Sequence, residues 1–242
     1  MAQINAKLIK KEQFQATTVI DIDNLNTKYF CKQNELIKQS PSTTYSYSNL
    51  QLGNLTQVNT FNPLKLSLFY KPFNTVVILD NRLAEIYKID FNQLTPYRDP
   101  EFITAGYDNT LWIFNSITQQ LELYDYKNNT TRTTTTPINN PVLDLISNYN
   151  YCWLLTDTYI YKFNYMGSLV FKIKNEGFNK FVLANDDLIL QKNNQLYFLK
   201  QDQTTAEDIL IPDLTIKQFL VTNETLYIYS NETLYQFLLK TK

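Results

Sequence analysis

Runs of four to six mostly apolar or aromatic residues, each followed by a polar turn and a second alternating run, return six times along this chain. They read YFCKQNELIKQ from Tyr29, VVILDNRLAEIYK from Val76, LWIFNSITQQLELYD from Leu111, CWLLTDTYIYKFN from Cys152, LILQKNNQLYFLK from Leu188 and LYIYSNETLYQFL from Leu226. Period-two alternation of Val, Ile, Tyr, Phe and Trp around an Asn-bearing turn is what a half-buried antiparallel pair requires, so each run predicts a β-hairpin. Between the turn residues Asn34, Asn81, Asn115, Asp157, Asn193 and Asn231 the steps are 47, 34, 42, 36 and 38 residues.

Another short apolar strand precedes each hairpin, at Val19 to Asp23, Leu64 to Phe69, Phe102 to Ala105, Val142 to Ile146, Phe181 to Ala184 and Phe219 to Thr222. A more polar run follows most hairpins, as in Asn129 to Thr135, Leu169 to Lys174 and Glu207 to Ile211. Inner, two middle and outer strands make the four-stranded unit of a propeller, and a period of about forty residues suits it. The sixth unit ends after its third strand, and the alternating segment Ile4 to Phe14 is spare. The expected fold is therefore all-β, a six-bladed β-propeller of four-stranded antiparallel blades, closed by the N-terminal strand completing the last blade. It occupies residues 1–242 as a single domain. The long first interval, Pro41 to Asn62, reads as an outer strand plus an extended loop.

Composition narrows the chemistry. Tyr (18) and Phe (15) are abundant, while the 4 Gly leave tight turns to Asn and Asp, which tolerate left-handed backbone best after Gly. The formal net charge of -1 provides no field to gather nucleic acid or acidic lipid. Histidine is absent, which removes Ser-His-Asp and Cys-His nucleophiles and imidazole metal ligation. Cys31 and Cys152 fall in units on opposite sides of a six-fold ring and read as small buried hydrophobes. No stretch approaches twenty apolar residues, so no transmembrane helix is expected. The opening residues lack a positive and then apolar leader, which fits a cytosolic start or a mature secreted chain; Ala-Gln as a cleavage scar favours the second.

Few residues suggest catalysis or metal binding. DIDNLN, from Asp21 to Asn26, fails as a calcium loop because Leu25 stands where a ligand is needed and the Gly and distal Glu are missing. VIDID and VLDLI place Asp21 and Asp144 at equivalent points of two inner strands, with Asp23 projecting as Asp21 does. Such channel carboxylates could serve glycoside cleavage, which needs no histidine, but are also simply well solvated. Five glycosylation sequons, at Asn54, Asn128, Asn129, Asn223 and Asn231, follow from the richness in Asn and Thr.

The loops expected to join inner to second strands are more selective. In units two to four they read FYKPFN, AGYDNT and SNYNY and present Tyr70, Lys71, Phe73, Tyr107 and Tyr149; in the other three they read ANDD, VTNET and DNLNT. Aromatic side chains on loops, where no core demands them, are the composition of a partner-binding patch.

The hairpins with Asn-centred turns resemble divergent six-bladed β-propellers across essentially the whole chain, without the Trp-Asp dipeptides of WD40, the di-glycine of kelch or the His-bearing set of propeller lyases. The richness in Asn, Lys, Ile, Tyr and Thr resembles proteins of AT-rich Bacteroidota, whose propellers often sit in the periplasm or at the outer membrane. Since every strong feature of the chain is scaffold or loop, the expectation is a non-enzymatic, cofactor-free protein that binds a protein partner, and the resemblance places it in the periplasm or at the outer membrane. It would serve as an accessory or plugging subunit of a membrane-associated secretion or assembly complex. A carbohydrate-active propeller using Asp21, Asp23 or Asp144 is the alternative.

Overall fold

A computed structural model describes residues 3–201 and 203–239. In chain order the strands are β1 (Gln3–Gln13), β2 (Thr18–Ile22), β3 (Lys28–Lys32), β4 (Glu35–Gln39), β5 (Thr44–Tyr47), β6 (Gln57–Asn59), β7 (Leu66–Tyr70), β8 (Thr75–Leu79), β9 (Glu85–Asp90), β10 (Pro100–Ala105), β11 (Thr110–Asn115) and β12 (Gln120–Asp125). They continue with β13 (Thr130–Thr134), β14 (Val142–Ser147), β15 (Tyr151–Thr156), β16 (Tyr159–Asn164), β17 (Leu169–Lys174), β18 (Lys180–Ala184), β19 (Asp187–Lys192), β20 (Gln195–Leu199), β21 (Glu207–Leu210), β22 (Gln218–Thr222), β23 (Thr225–Ser230) and β24 (Thr233–Leu239). The fold is all-β and propeller-like, with four-stranded antiparallel blades β2–β5, β6–β9, β10–β13 and β14–β17.

Residues 1–45 and 176–242 form one compact unit, and residues 46–175 form another. Inside the second, period-two alternation sends the two faces of a strand into two cores. Leu111 and Ile113 of β11 join Phe69, Val76, Ile78 and Phe91, whereas Trp112 and Phe114 join Leu145, Cys152, Leu154 and Phe163. Burial on both faces is why this strand reads as the unbroken apolar run LWIF rather than as an alternating one. In the first unit β23 is used the same way: Leu226 and Ile228 face Ile189 and Leu196, and Tyr229 faces Val19 and Ile22.

The expectation of six separate four-stranded blades is corrected by the pairing of β1. This strand runs antiparallel to β24 from Ala6↔Leu239 to Gln13↔Thr233, and its first residues run parallel to β21 through Gln3↔Asp208, Ile4↔Ile209 and Asn5↔Leu210. One eight-stranded sheet results, in the order β18-β19-β20-β21-β1-β24-β23-β22. At 11 residues β1 outruns the 7 of β24, so it reaches a second strand edge instead of completing a blade of four.

A second correction concerns strand order in β6–β9. The hairpin at Val76 is β8–β9, the third and fourth strands, whereas the other five are second and third. The inner strand is Gln57–Asn59, hidden in what reads as an extended loop, and Leu66–Tyr70 lies second. The equivalent turn residue is Asn74, which adopts the left-handed conformation at φ 50°. Counted through Asn74, the first two steps become 40 and 41 residues, and the irregular 47 and 34 disappear. Among the described residues, eight of the twelve non-glycine positive-φ positions are Asn or Asp, so these side chains take the role that glycine plays elsewhere.

Candidate functional site

The three inner strands of the second unit are latched by short polar side chains. Asn59 Nδ2 donates to Thr104 Oγ1 at 3.0 Å, Thr104 Oγ1 and Ser147 Oγ lie 2.9 Å apart, and Ser147 Oγ donates to the Ala105 carbonyl. Gln57 Oε1 accepts from the Ile103 N–H at 3.2 Å. Thr104 and Ser147 are buried, so these bonds are made away from competing water and hold β6, β10 and β14 side by side. The loops that leave the three strands are thereby gathered at one end of the unit.

Asn side-chain oxygens tie these loops to their own backbone N–H groups. Asn59 Oδ1 accepts from Phe61 N at 3.1 Å and Asn62 Oδ1 from Leu64 N at 3.0 Å. Asn148 Oδ1 accepts from Asn150 N and Tyr151 N at 2.9 and 2.8 Å. In the β16–β17 turn Asn164 Oδ1 accepts from Met166 N and Ser168 N, both at 3.0 Å, and Thr133 Oγ1 donates to the Met166 carbonyl at 2.8 Å. Gly167 sits there at φ 75°, and a Cβ would come within 2.7 Å of Thr133 Oγ1. Lys65 Nζ closes the set by donating to the Asp108 carbonyl at 3.0 Å and to Asn109 Oδ1 at 2.9 Å.

These loops hold two edge-to-face aromatic pairs. Phe61 and Tyr149 have ring centroids 4.7 Å apart, and Tyr107 and Tyr165 lie 5.9 Å apart. Tyr149 is 51% exposed and Met166 65%, and Phe61, Leu64 and Tyr165 are also exposed. The Arg132 guanidinium lies 5.1 Å from the Tyr107 ring centroid and donates from Nη1 to the Tyr107 hydroxyl at 3.0 Å. The same guanidinium donates from Nη2 to buried Asp125 Oδ2 at 2.6 Å. Burial disfavours the charged Asp125 carboxylate, but its bonds from Arg132 and from the Asn128 amide and backbone N–H outweigh this and hold its pKa at about 2.

A folded-state pKa lowered in this way contributes stability that is present above the ordinary carboxylate range and lost as pH falls from about 4 toward 2. Acid-unfolding curves are therefore expected to lose on the order of 1–2 kcal/mol through this window, and Asp125→Asn should remove that part of the slope. An unchanged slope in the variant would assign the acid sensitivity to other groups.

Of the residues predicted for a partner site, Tyr107 and Tyr149 belong to this cluster, and Tyr70, Lys71 and Phe73 do not. Tyr70 is 1% exposed, in the core at the end of β7. Lys71 and Phe73 are exposed but lie in the turn between the second and third strands, where Lys71 Nζ pairs with Glu101 Oε1 at 2.9 Å near the start of β10. Tyr107 follows the other end of β10. The one-strand shift of the Val76 hairpin is the reason, and it puts Phe61 and Leu64 where Tyr70 and Phe73 were expected. Phe61, Leu64, Tyr165 and Met166 were missed; the even spacing through Asn74 is the signal that would have found the first two.

The inner-strand carboxylates serve local turns. Asp21 and Asp144 each follow a register shift, between Val19 and Asp21 and between Val142 and Asp144, and each Oδ1 accepts from the next N–H at 2.8 and 2.9 Å. The matching positions thus reflect matching β-bulges. Asp23 Oδ1 accepts from Leu25 N and Thr27 N at 2.9 and 2.8 Å, closing a turn. Among the described residues no cluster of three or more His, Cys, Asp or Glu is placed to hold a metal ion. Burial pushes the Cys31 thiol up to about 11 and the Cys152 thiol well above its ordinary value, so neither is a thiolate at neutral pH. No helix among the described residues is long and apolar enough to cross a membrane.

No protein-family profile matches the chain, and no curated protein sequence is significantly similar. Solved structures do share its fold. A streptogramin B lyase is 12% identical at a TM-score of 0.67, covering 96% of this chain and 88% of its own. A catalytically inactive virginiamycin B lyase from Staphylococcus aureus with quinupristin, altered at a single histidine, is 14% identical at 0.64, with coverage of 91% and 80%. BamB from Moraxella catarrhalis is 13% identical at 0.52, with coverage of 88% and 69%. Neither named organism belongs to the Bacteroidota, so the expected kinship with propellers of that group is corrected: the composition that suggested it also suits other AT-rich genomes. At these identities the likeness shows the fold alone, and that fold is a propeller scaffold.

Proposed function

We propose that this protein is a non-enzymatic propeller-like scaffold that docks onto a protein partner through the loop cluster of Phe61, Leu64, Tyr107, Tyr149, Tyr165 and Met166. The observation that carries the reading is the combination of exposure with fixed geometry. Tyr149 and Met166 are more than half exposed, yet the loops that present them are tied down by Asn148 and Asn164. Side chains held ready in this way lose little further freedom on binding, which is what an interface anchor needs. Arg132 and Lys65 are engaged within the cluster, leaving its exposed chemistry aromatic and aliphatic rather than ionic.

Two observations support the non-enzymatic part. The carboxylates available for acid–base work are committed to bulges and turns. The virginiamycin B lyase with this fold is inactive after loss of one histidine, and the present chain contains none. At a finer level we read the protein as an accessory or plugging subunit of a bacterial envelope complex, in the periplasm or at the outer membrane. The fold shared with the bacterial protein BamB supports that placement.

The test begins with affinity purification from the native organism and continues with the purified partner. Tyr149→Ala, Phe61→Ala and Tyr165→Ala are each expected to weaken binding by about 2 kcal/mol, roughly thirtyfold, with the melting temperature little changed. Phe73→Ala, at the other end of the same blades, is the comparison. Loss of binding on Phe73→Ala with none on Tyr149→Ala would move the interface to the opposite loops.

A further inference from the structure

We propose that the outer edge of β17 accepts an extended, acidic segment of a protein partner as an added strand. This goes beyond the aromatic loop cluster and adds a second surface. The chain itself supplies the precedent: in the first unit β1 runs alongside the outer strand β21 in parallel register, and Ile4 of the added strand is buried against Ile209. In the second unit β17 ends its sheet, and among the described residues no strand pairs with its outer side.

The backbone there points the right way. Asn175 N donates to the Thr158 carbonyl at 2.8 Å, and the register continues as Tyr159↔Lys174, Ile160↔Ile173 and Tyr161↔Lys172. In an antiparallel ladder residues alternate between bonding inward and facing out, so Ile173 bonds to β16 while Lys172 and Lys174 turn their N–H and C=O groups outward.

The side chains define the occupant. Leu169 is 52% exposed and Val170 51%, and Val170 is the extra residue where the register shifts between Lys162 and Phe163. Lys172 and Lys174 are exposed beyond them, with Lys172 Nζ 3.8 Å from the Tyr159 ring centroid. Lysines and a bulge also guard an edge against like strands. A guarded edge gains nothing, however, from two adjacent apolar side chains in water. An incoming strand of alternating apolar and acidic residues would cover Leu169 and Val170 and meet both lysines, whereas a second copy of this lysine-bearing edge would be repelled.

The experiment is fluorescence anisotropy on the full chain with a labelled peptide of about six alternating valines and glutamates. Binding is expected, weakening as salt rises, and a peptide with lysine in place of glutamate should not bind. Lys174→Pro removes one outward N–H and leaves the ladder to β16 intact, and should weaken binding at least about tenfold. The double variant Lys172→Glu, Lys174→Glu should do the same, and Lys88→Glu, on the outer strand β9, should leave binding unchanged. Absence of peptide binding, or equal binding by Lys174→Pro, overturns strand addition; the second result would mean simple ionic attraction. If circular dichroism shows Lys174→Pro unfolded, Lys172→Pro, the other outward position, replaces it with the same two outcomes.

Discussion

Glu122→Ala should lower the unfolding free energy by about 3–5 kcal/mol, the cost of stripping the partner from a buried charge. Glu122 Oε2 accepts from Arg98 Nε at 3.0 Å, with the two side chains only 8% and 4% exposed. Its other oxygen accepts from Asn115 Nδ2 at 2.8 Å. Arg98 donates from Nη1 to the Pro96 carbonyl at 3.0 Å and from Nη2 to Thr131 Oγ1 at 2.9 Å, and lies 4.6 Å from the Tyr124 ring centroid. The guanidinium is thus bonded from all three nitrogens and almost wholly enclosed, so truncating Glu122 leaves its charge buried without its partner. The double variant Arg98→Met, Glu122→Leu should be milder than Glu122→Ala, because no charge is left behind. Urea unfolding followed by tryptophan fluorescence measures both; Trp112 lies in the neighbouring strand of the same blade. A loss below about 1 kcal/mol for Glu122→Ala would mean that water reaches Arg98.

Removal of β1 should cost a comparable amount, about 3–5 kcal/mol, and lower the melting temperature by about 10 °C. Deleting residues 3–13 takes away the antiparallel ladder to β24 and the parallel ladder to β21. It also removes Ile4 from a core containing Ile209, Phe237 and Leu239. Two strand edges are then bared at once, a template for edge-to-edge association. Thermal melts and light scattering would report the change, and a synthetic peptide of residues 3–13 added in excess should reverse part of it by occupying the vacated edges. A truncated chain that melts unchanged and stays monodisperse would show that β1 contributes little beyond covering the sheet.

Legibility differed between strands and their partners. Apolar runs such as LWIF at Leu111 and CWLL at Cys152 locate β11 and β15 because each is buried on both faces. The inner strand Gln57–Asn59 was not legible by that criterion. Its residues are polar or half-buried, chosen to latch onto Ile103 and Thr104 rather than to fill a core. The same blindness displaced the candidate site, since Phe61 can be assigned to the loop cluster only after β6 is recognised ahead of it.

The alternation of side chains and the placement of Asn and Asp at turns are local properties, carried by residues a few positions apart, and the sequence alone determined them: an all-β chain of about forty-residue units. Which strands pair is decided between residues far apart. Ile4 meets Ile209, Ala6 meets Leu239 and Phe61 meets Tyr149, and no local period records such encounters. Tertiary structure therefore decided the strand count of each sheet, by letting a long β1 satisfy two edges. It also decided the aromatic cluster, by latching β6, β10 and β14 so that loops distant in sequence share one end of the unit.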